Sequence, residues 1–111
     1  MGVTPEFIQG ELARAKTYTV VYLFAGPRYD DHPDGDALVM AHVTRNFEMK
    51  GDGVLAVVGP MRSDGDVRGL YIFNCDPVEA TLLIEDDVAV QAGIFTFGVQ
   101  TLMAFPGDTL S

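Results

Sequence analysis

The segment that most restricts the fold is an apolar run near the N-terminus, residues 18–25 (YTVVYLFA). It is rich in β-branched and aromatic residues, which favour strands, and Gly26-Pro27 ends it. Its hydrophobicity is nearly continuous, which indicates a strand that is covered on both faces. The sequence therefore predicts a core strand, with one of its two covering layers to be supplied by a partner chain.

The other segments fall into a regular order around this strand. The predicted elements are helix 5–16, strand 18–25, helix 36–50, strand 54–58, strand 69–75, helix 77–86 and strand 94–105, the last with a bulge or bend at Gly98. Without the first helix, the order is β-α-β-β-α-β. This order is typical of an α+β fold, the ferredoxin-like protomer, in which two helices cover one face of an antiparallel sheet. We therefore expect a homodimer that forms through the uncovered sheet face.

Size and charge exclude several classes of partner. The 111 residues are expected to form one domain, 1–111, with a core over about 18–105. The net charge of -9 would repel nucleic acid and anionic membranes. No apolar run approaches the roughly 18–20 residues that cross a bilayer, and the single cysteine fits the cytoplasm. We expect neither a nucleic-acid nor a membrane partner.

Helix 36–50 carries one of the two histidines of the chain. Asp36 is predicted to cap this helix, and Val39, Met40, Val43 and Phe47 are predicted to form its core-facing stripe. His42 lies about 100° from Val43, which places it at the flank of the stripe. A histidine at the rim of a cleft is a candidate general acid or base, and a surface histidine without a task is the alternative.

Asp87 follows two other acidic residues at the end of helix 77–86. Three carboxylates at a helix C-terminus oppose the helix dipole, and local rules are often broken at functional sites. An aspartate that reaches an imidazole would fix its tautomer. The alternative is an acidic surface turn.

Other sequence patterns bear on metal, cofactor and nucleophile chemistry. The spacing of Asp30, His32 and Asp34 suggests a calcium loop, but Ala41 stands where a bidentate Glu is required. No phosphate-binding glycine motif is present, and we expect neither a metal nor an organic cofactor. Cys75 is expected to be a core residue and not a nucleophile. Its neighbour Asp76 would raise the thiol pKa and so disfavour the reactive thiolate. Arg62 is a candidate receptor for a carboxylate or phenolate, or an ordinary surface arginine.

Several of these features, taken in order, resemble the YCII-like family of the dimeric α/β-barrel superfamily over residues 18–105. The features are a helical His42, Gly59-Pro60 at the end of a strand, and Asp87 six residues before Gly93. The resemblance implies a ferredoxin-like protomer that dimerises by its sheets into a barrel. It also implies a His–Asp pair in a cleft, which His42 and Asp87 match. The family usually has Pro after the aspartate, where this chain has Val88.

Two functions follow as hypotheses. The first is a small enzyme without cofactor, lyase- or isomerase-like, in which His42 and Asp87 abstract a proton or eliminate a group from a small cyclic or phenolic molecule. Arg62, Gly59, Pro60 and Tyr22 would then contact the substrate. The second is a non-catalytic module that binds a small ligand or mediates assembly, with the His–Asp pair as a structural tie.

Overall fold

A computed structural model describes residues 2–111, which form an α+β fold with a four-stranded antiparallel sheet and four helices. In chain order, the elements are α1 (Pro5–Ala13), β1 (Lys16–Ala25), α2 (Gly35–Gly51), β2 (Leu55–Pro60), β3 (Val67–Phe73), α3 (Pro77–Glu85), α4 (Val88–Gln91) and β4 (Phe95–Ala104). Every predicted helix and strand is present within a few residues of its predicted bounds. The short helix α4 was not predicted.

The strands lie in the order β2-β3-β1-β4, and all neighbours are antiparallel. The apolar strand β1 is central: Val21 is paired with Tyr71 of β3 on one side and with Val99 of β4 on the other. This order is compatible with a ferredoxin-like fold. Among residues 2–111, no helix is long and apolar enough to cross a bilayer.

The core lies between one face of the sheet and the helices α2, α3 and α4. Its sheet side includes Val21, Leu23 and Phe73, which are at most 1% exposed, and its helix side includes Met49 and Ile84. Because side chains alternate along a strand, the residues between these project from the opposite face. None of the four helices of residues 2–111 packs on that face. The first helix, α1, buries none of its residues in the core either.

The predicted apolar stripe of α2 is wrong for three of its four residues, and Val39 alone packs against the core. Met40, Val43 and Phe47 are 65%, 38% and 56% exposed. The helix instead buries His42, Asn46 and Met49, at spacings of four and three residues. His42 hydrogen-bonds to Asp87 and to Asn46, so these two polar side chains of α2 are paired where they enter the core.

Two smaller predictions are also corrected. The cap position of α2 is Asp34, and Asp36 lies in the first helical turn. Gly98 forms no bulge, because β4 pairs with β1 without a register shift. A Cβ at Gly98 would lie 3.5 Å from the ring of Phe24, which is an ordinary van der Waals contact, so the packing does not require a glycine there. The register shifts occur instead in the pairing of β1 with β3 and in the pairing of β2 with β3.

Candidate active site

The structure brings His42 and Asp87 together across 45 residues of sequence. Nδ1 of His42 lies 2.6 Å from Oδ2 of Asp87. His42 is 4% exposed and Asp87 is fully buried, so water competes little with the contact. His42 does not lie at a flank of α2, as predicted, but on the buried face of the helix.

Asp87 is held by the start of α4. Its Oδ1 accepts hydrogen bonds from the backbone N–H groups of Ala89 at 2.9 Å and Val90 at 3.4 Å. Asp87 is therefore an N-cap at the positive end of a short helix, where a carboxylate is stabilised. The prediction that it opposes a helix dipole is wrong, because the chain starts a new helix immediately after the aspartate.

The surroundings of Asp87 keep its carboxylate ionised. Burial raises the pKa of a carboxyl group, but the hydrogen bond and charge of His42 and the two backbone N–H groups outweigh it and lower the pKa of Asp87 below its usual value. An ionised carboxylate only accepts hydrogen bonds, so Nδ1 of His42 carries the proton between them.

The second imidazole nitrogen faces Asn46. The amide Nδ2 of Asn46, one helical turn after His42, lies 3.2 Å from Nε2 and donates to it. Asn46 is 3% exposed. Reasoning from the sequence missed this residue. Its signal was the spacing of four residues from His42, which puts both side chains on one helix face.

A cavity of about 210 Å³ opens beside the histidine. Its walls are formed by the following residues: Leu23, Tyr29, Val39, His42, Val43, Pro60, Met61, Arg68, Tyr71 and Phe95. Of the predicted contacts other than the His–Asp pair, only Pro60 is part of this wall. Arg62 is exposed at the start of the hairpin loop and Tyr22 projects from the other face of the sheet, so neither lines the cavity. Gly59 packs against the backbone of Leu70 and is not part of the wall.

Arg68 is the cation of the cavity wall, and sequence reasoning missed it. The pairing of β1 with β3 passes from Leu23–Gly69 to Phe24–Val67, so Arg68 is the extra residue of a β-bulge. A bulge re-aims side chains, and simple alternation along the strand does not predict their direction. One guanidinium nitrogen, Nη2, donates to the backbone carbonyls of Ser63 and Gly65.

Aromatic rings enclose the imidazole. The ring centre of Phe95 lies 5.0 Å from that of His42. The ring of Tyr71 is edge-on to the imidazole, with 6.2 Å between the ring centres. Burial and the negative charge of Asp87 raise the pKa of Tyr71, so its hydroxyl stays protonated at neutral pH. The site thus combines an ionised carboxylate, an oriented imidazole and a protonated phenol.

A larger groove of about 820 Å³ adjoins the cavity and shares Tyr29 and Phe95 with it. The acidic loop before α2 forms its other side, with Asp30, His32 and Asp34 in the lining.

Neither a metal site nor a reactive cysteine is found near the histidine. No three His, Cys, Asp or Glu side chains among residues 2–111 are grouped to hold a metal ion. Burial and the nearby Glu79 and Asp76 raise the pKa of Cys75, which keeps it a thiol at neutral pH.

No protein-family model matches the chain, and no curated protein matches it. The resemblance to the YCII-like family stays a prediction, and the site is interpreted from its own geometry.

Proposed function

We propose that the chain is a small cofactor-independent enzyme in which His42, oriented by Asp87, moves a proton on a small cyclic or phenolic molecule. The supporting observation is the 2.6 Å contact between Nδ1 of His42 and Asp87, in a ring that lines a cavity. We also propose membership of the YCII-like family, whose His–Asp pair these two residues match.

The chemistry follows from the tautomer. With Nδ1–H held by Asp87, the lone pair lies on Nε2, which is the proton acceptor. Asp87 stabilises the imidazolium that forms, and the protonated hydroxyl of Tyr71 is a donor for an oxygen that becomes negative. A positioned base typically supplies about 10²–10⁴-fold, so the reaction is proton abstraction or elimination on an activated C–H group.

Deuterium uptake tests this proposal without knowledge of the product. A panel of small cyclic ketones, lactones and phenols is incubated with the protein in D₂O, and exchange is followed by mass spectrometry. We expect exchange in at least one compound, lowered about 10²–10⁴-fold by His42→Gln in a folded variant. Equal exchange with His42→Gln would refute the proposal.

The second candidate is a structural tie inside a binding module. It is favoured by the occupation of both imidazole nitrogens, Nδ1 by Asp87 and Nε2 by Asn46, in a ring that is 4% exposed. Asn46→Ala separates the two functions. The enzyme keeps or gains deuterium exchange, because Nε2 loses its competing donor. The structural tie shows no exchange in any variant and only a loss of stability.

We further propose a homodimer that forms through the sheet face without helices. The side chains of Val20, Tyr22, Leu70 and Ile72 project from this face by strand alternation. Val20 is 5% exposed and the other three are half-buried, and pairing of this apolar face with a second copy would give the dimeric barrel of the family.

A further inference from the structure

We propose that the cavity beside His42 binds a small aromatic carboxylate, with the carboxylate on Arg68 and the ring between the aromatic walls. This inference names the substrate class of the proposed enzyme and depends on that function for its catalytic meaning. The binding itself is a separate property that can be measured without turnover.

The first support is the state of the Arg68 guanidinium. Its Nη2 is used by two backbone carbonyls, which fixes the group in place. Its Nε is enclosed by protein atoms and has no hydrogen-bond partner among residues 2–111. No ion pair involves Arg68 within the part of the chain that the structure describes. A fixed guanidinium that lines a cavity and has no carboxylate partner favours an anionic ligand, and a carboxylate would balance its charge.

The second support is the shape and lining of the cavity. Its volume of about 210 Å³ exceeds the roughly 150 Å³ in which a protein cavity can hold benzene, so a single substituted ring fits. Tyr29, Tyr71 and Phe95 supply flat apolar walls. The Arg68 guanidinium itself lies 5.8 Å from the centre of the Tyr29 ring, which holds it at the edge of the aromatic wall.

Charge then sets the orientation of the ligand. The groove that adjoins the cavity carries Asp30, Asp34 and Asp36, and the whole chain has a net charge of -9. These carboxylates repel an anion at the mouth, whereas Arg68 attracts it inside. The carboxylate is therefore expected on Arg68 and away from the acidic loop.

The test is a titration with benzoate and with its neutral analogue benzamide, at neutral pH, by isothermal calorimetry. We expect saturable benzoate binding and at least tenfold weaker binding of benzamide. Arg68→Gln should weaken benzoate binding about 10- to 100-fold, the usual effect of a charge-assisted hydrogen bond. The matched control is Arg62→Gln, which removes the same charge from an exposed position six residues earlier and should change the affinity less than twofold.

Outcomes of this titration are separable from those of the deuterium test. The inference is overturned if benzoate shows no saturable binding below about 10 mM, if benzamide binds equally well, or if both arginine variants weaken binding alike. Should Arg68→Gln fail to fold, Arg68→Lys keeps the charge and loses the planar donor, and the comparison of benzoate with benzamide needs no variant. Benzoate binding through Arg68 in a protein without His42-dependent exchange would support the site and refute the enzyme.

Discussion

Asp87 serves two structures with one carboxylate, since Oδ1 caps α4 and Oδ2 holds His42. In Asp87→Asn, a single oxygen remains, which can keep the cap, and the amide N–H₂ would then face the Nδ1–H of His42. A buried donor left without an acceptor costs about 1–3 kcal/mol. We expect the free energy of unfolding to fall by that amount at neutral pH, as measured by urea denaturation.

The pH dependence of this loss has a defined sign. The pKa of Asp87 is lower in the folded state than in the unfolded chain, so its ionisation stabilises the fold above the unfolded value of about 4. That stability is lost as pH falls through the folded pKa. The difference between wild type and Asp87→Asn should therefore shrink as the pH is lowered below the unfolded value of about 4. The exposed neighbour gives the control: Asp86→Asn should differ little from wild type throughout. A wild-type advantage that stays constant as the pH is lowered would contradict the assignment.

The two central residues could be found from the sequence, and their supporting residue could not. The order of motifs along the chain singled out His42 and Asp87. Asn46 was not predicted to be buried, because the apolar residues of α2 indicated a different buried face. The burial of a polar face is decided by the tertiary hydrogen bond to Asp87, which no local pattern on the helix contains.

At the scale of elements, the bulge of β3 next to β1 precedes two residues that affect the cavity wall. Gly69 follows the bulge residue Arg68 and lies under the ring of Tyr71. A Cβ at this position would stand 2.5 Å from Cε2 and 2.7 Å from the hydroxyl of Tyr71. The glycine is required for the space that the ring occupies, and the ring in turn forms a wall beside His42.

Gly69→Ala should therefore displace Tyr71 and destabilise the fold by about 1–3 kcal/mol, as overpacking typically does. The measurement is the thermal unfolding midpoint, together with the near-ultraviolet circular dichroism of the tyrosines. Gly65→Ala in the same hairpin is the control, because no atom lies within 4 Å of a Cβ there. Equal midpoints for both variants would show that Tyr71 does not need this space.

Element order was predictable because strand composition and Gly-Pro punctuation are local properties. The bulge at Arg68 was not predictable. It arises from a shift in the pairing register of β1 and β3, which are distant in sequence. The same limit explains why Arg62, which also lies near a strand end, was chosen instead. Only the strand register distinguishes the two arginines.

At the scale of the whole molecule, the sheet has one face without helices. The C-terminal tail runs beside one end of it, near Tyr18 and Ile72. Tyr22 lies on this face, on the central strand opposite Gly98, and is half-buried. In a symmetric dimer through this face, the same patch of both copies would meet, so a charge introduced there would be buried twice.

Tyr22→Glu therefore tests the proposed dimer. We expect wild type to have twice the chain mass of 12.0 kDa by light scattering. The variant should dissociate with a dimer affinity about 100-fold weaker or more, because an unpaired charge in an interface costs several kcal/mol. Phe47→Glu, at a 56% exposed position on α2, adds the same charge outside the sheet and should stay dimeric. A wild type that stays monomeric at high concentration would refute the dimer. A dimer that is lost only in Phe47→Glu would place the interface on α2.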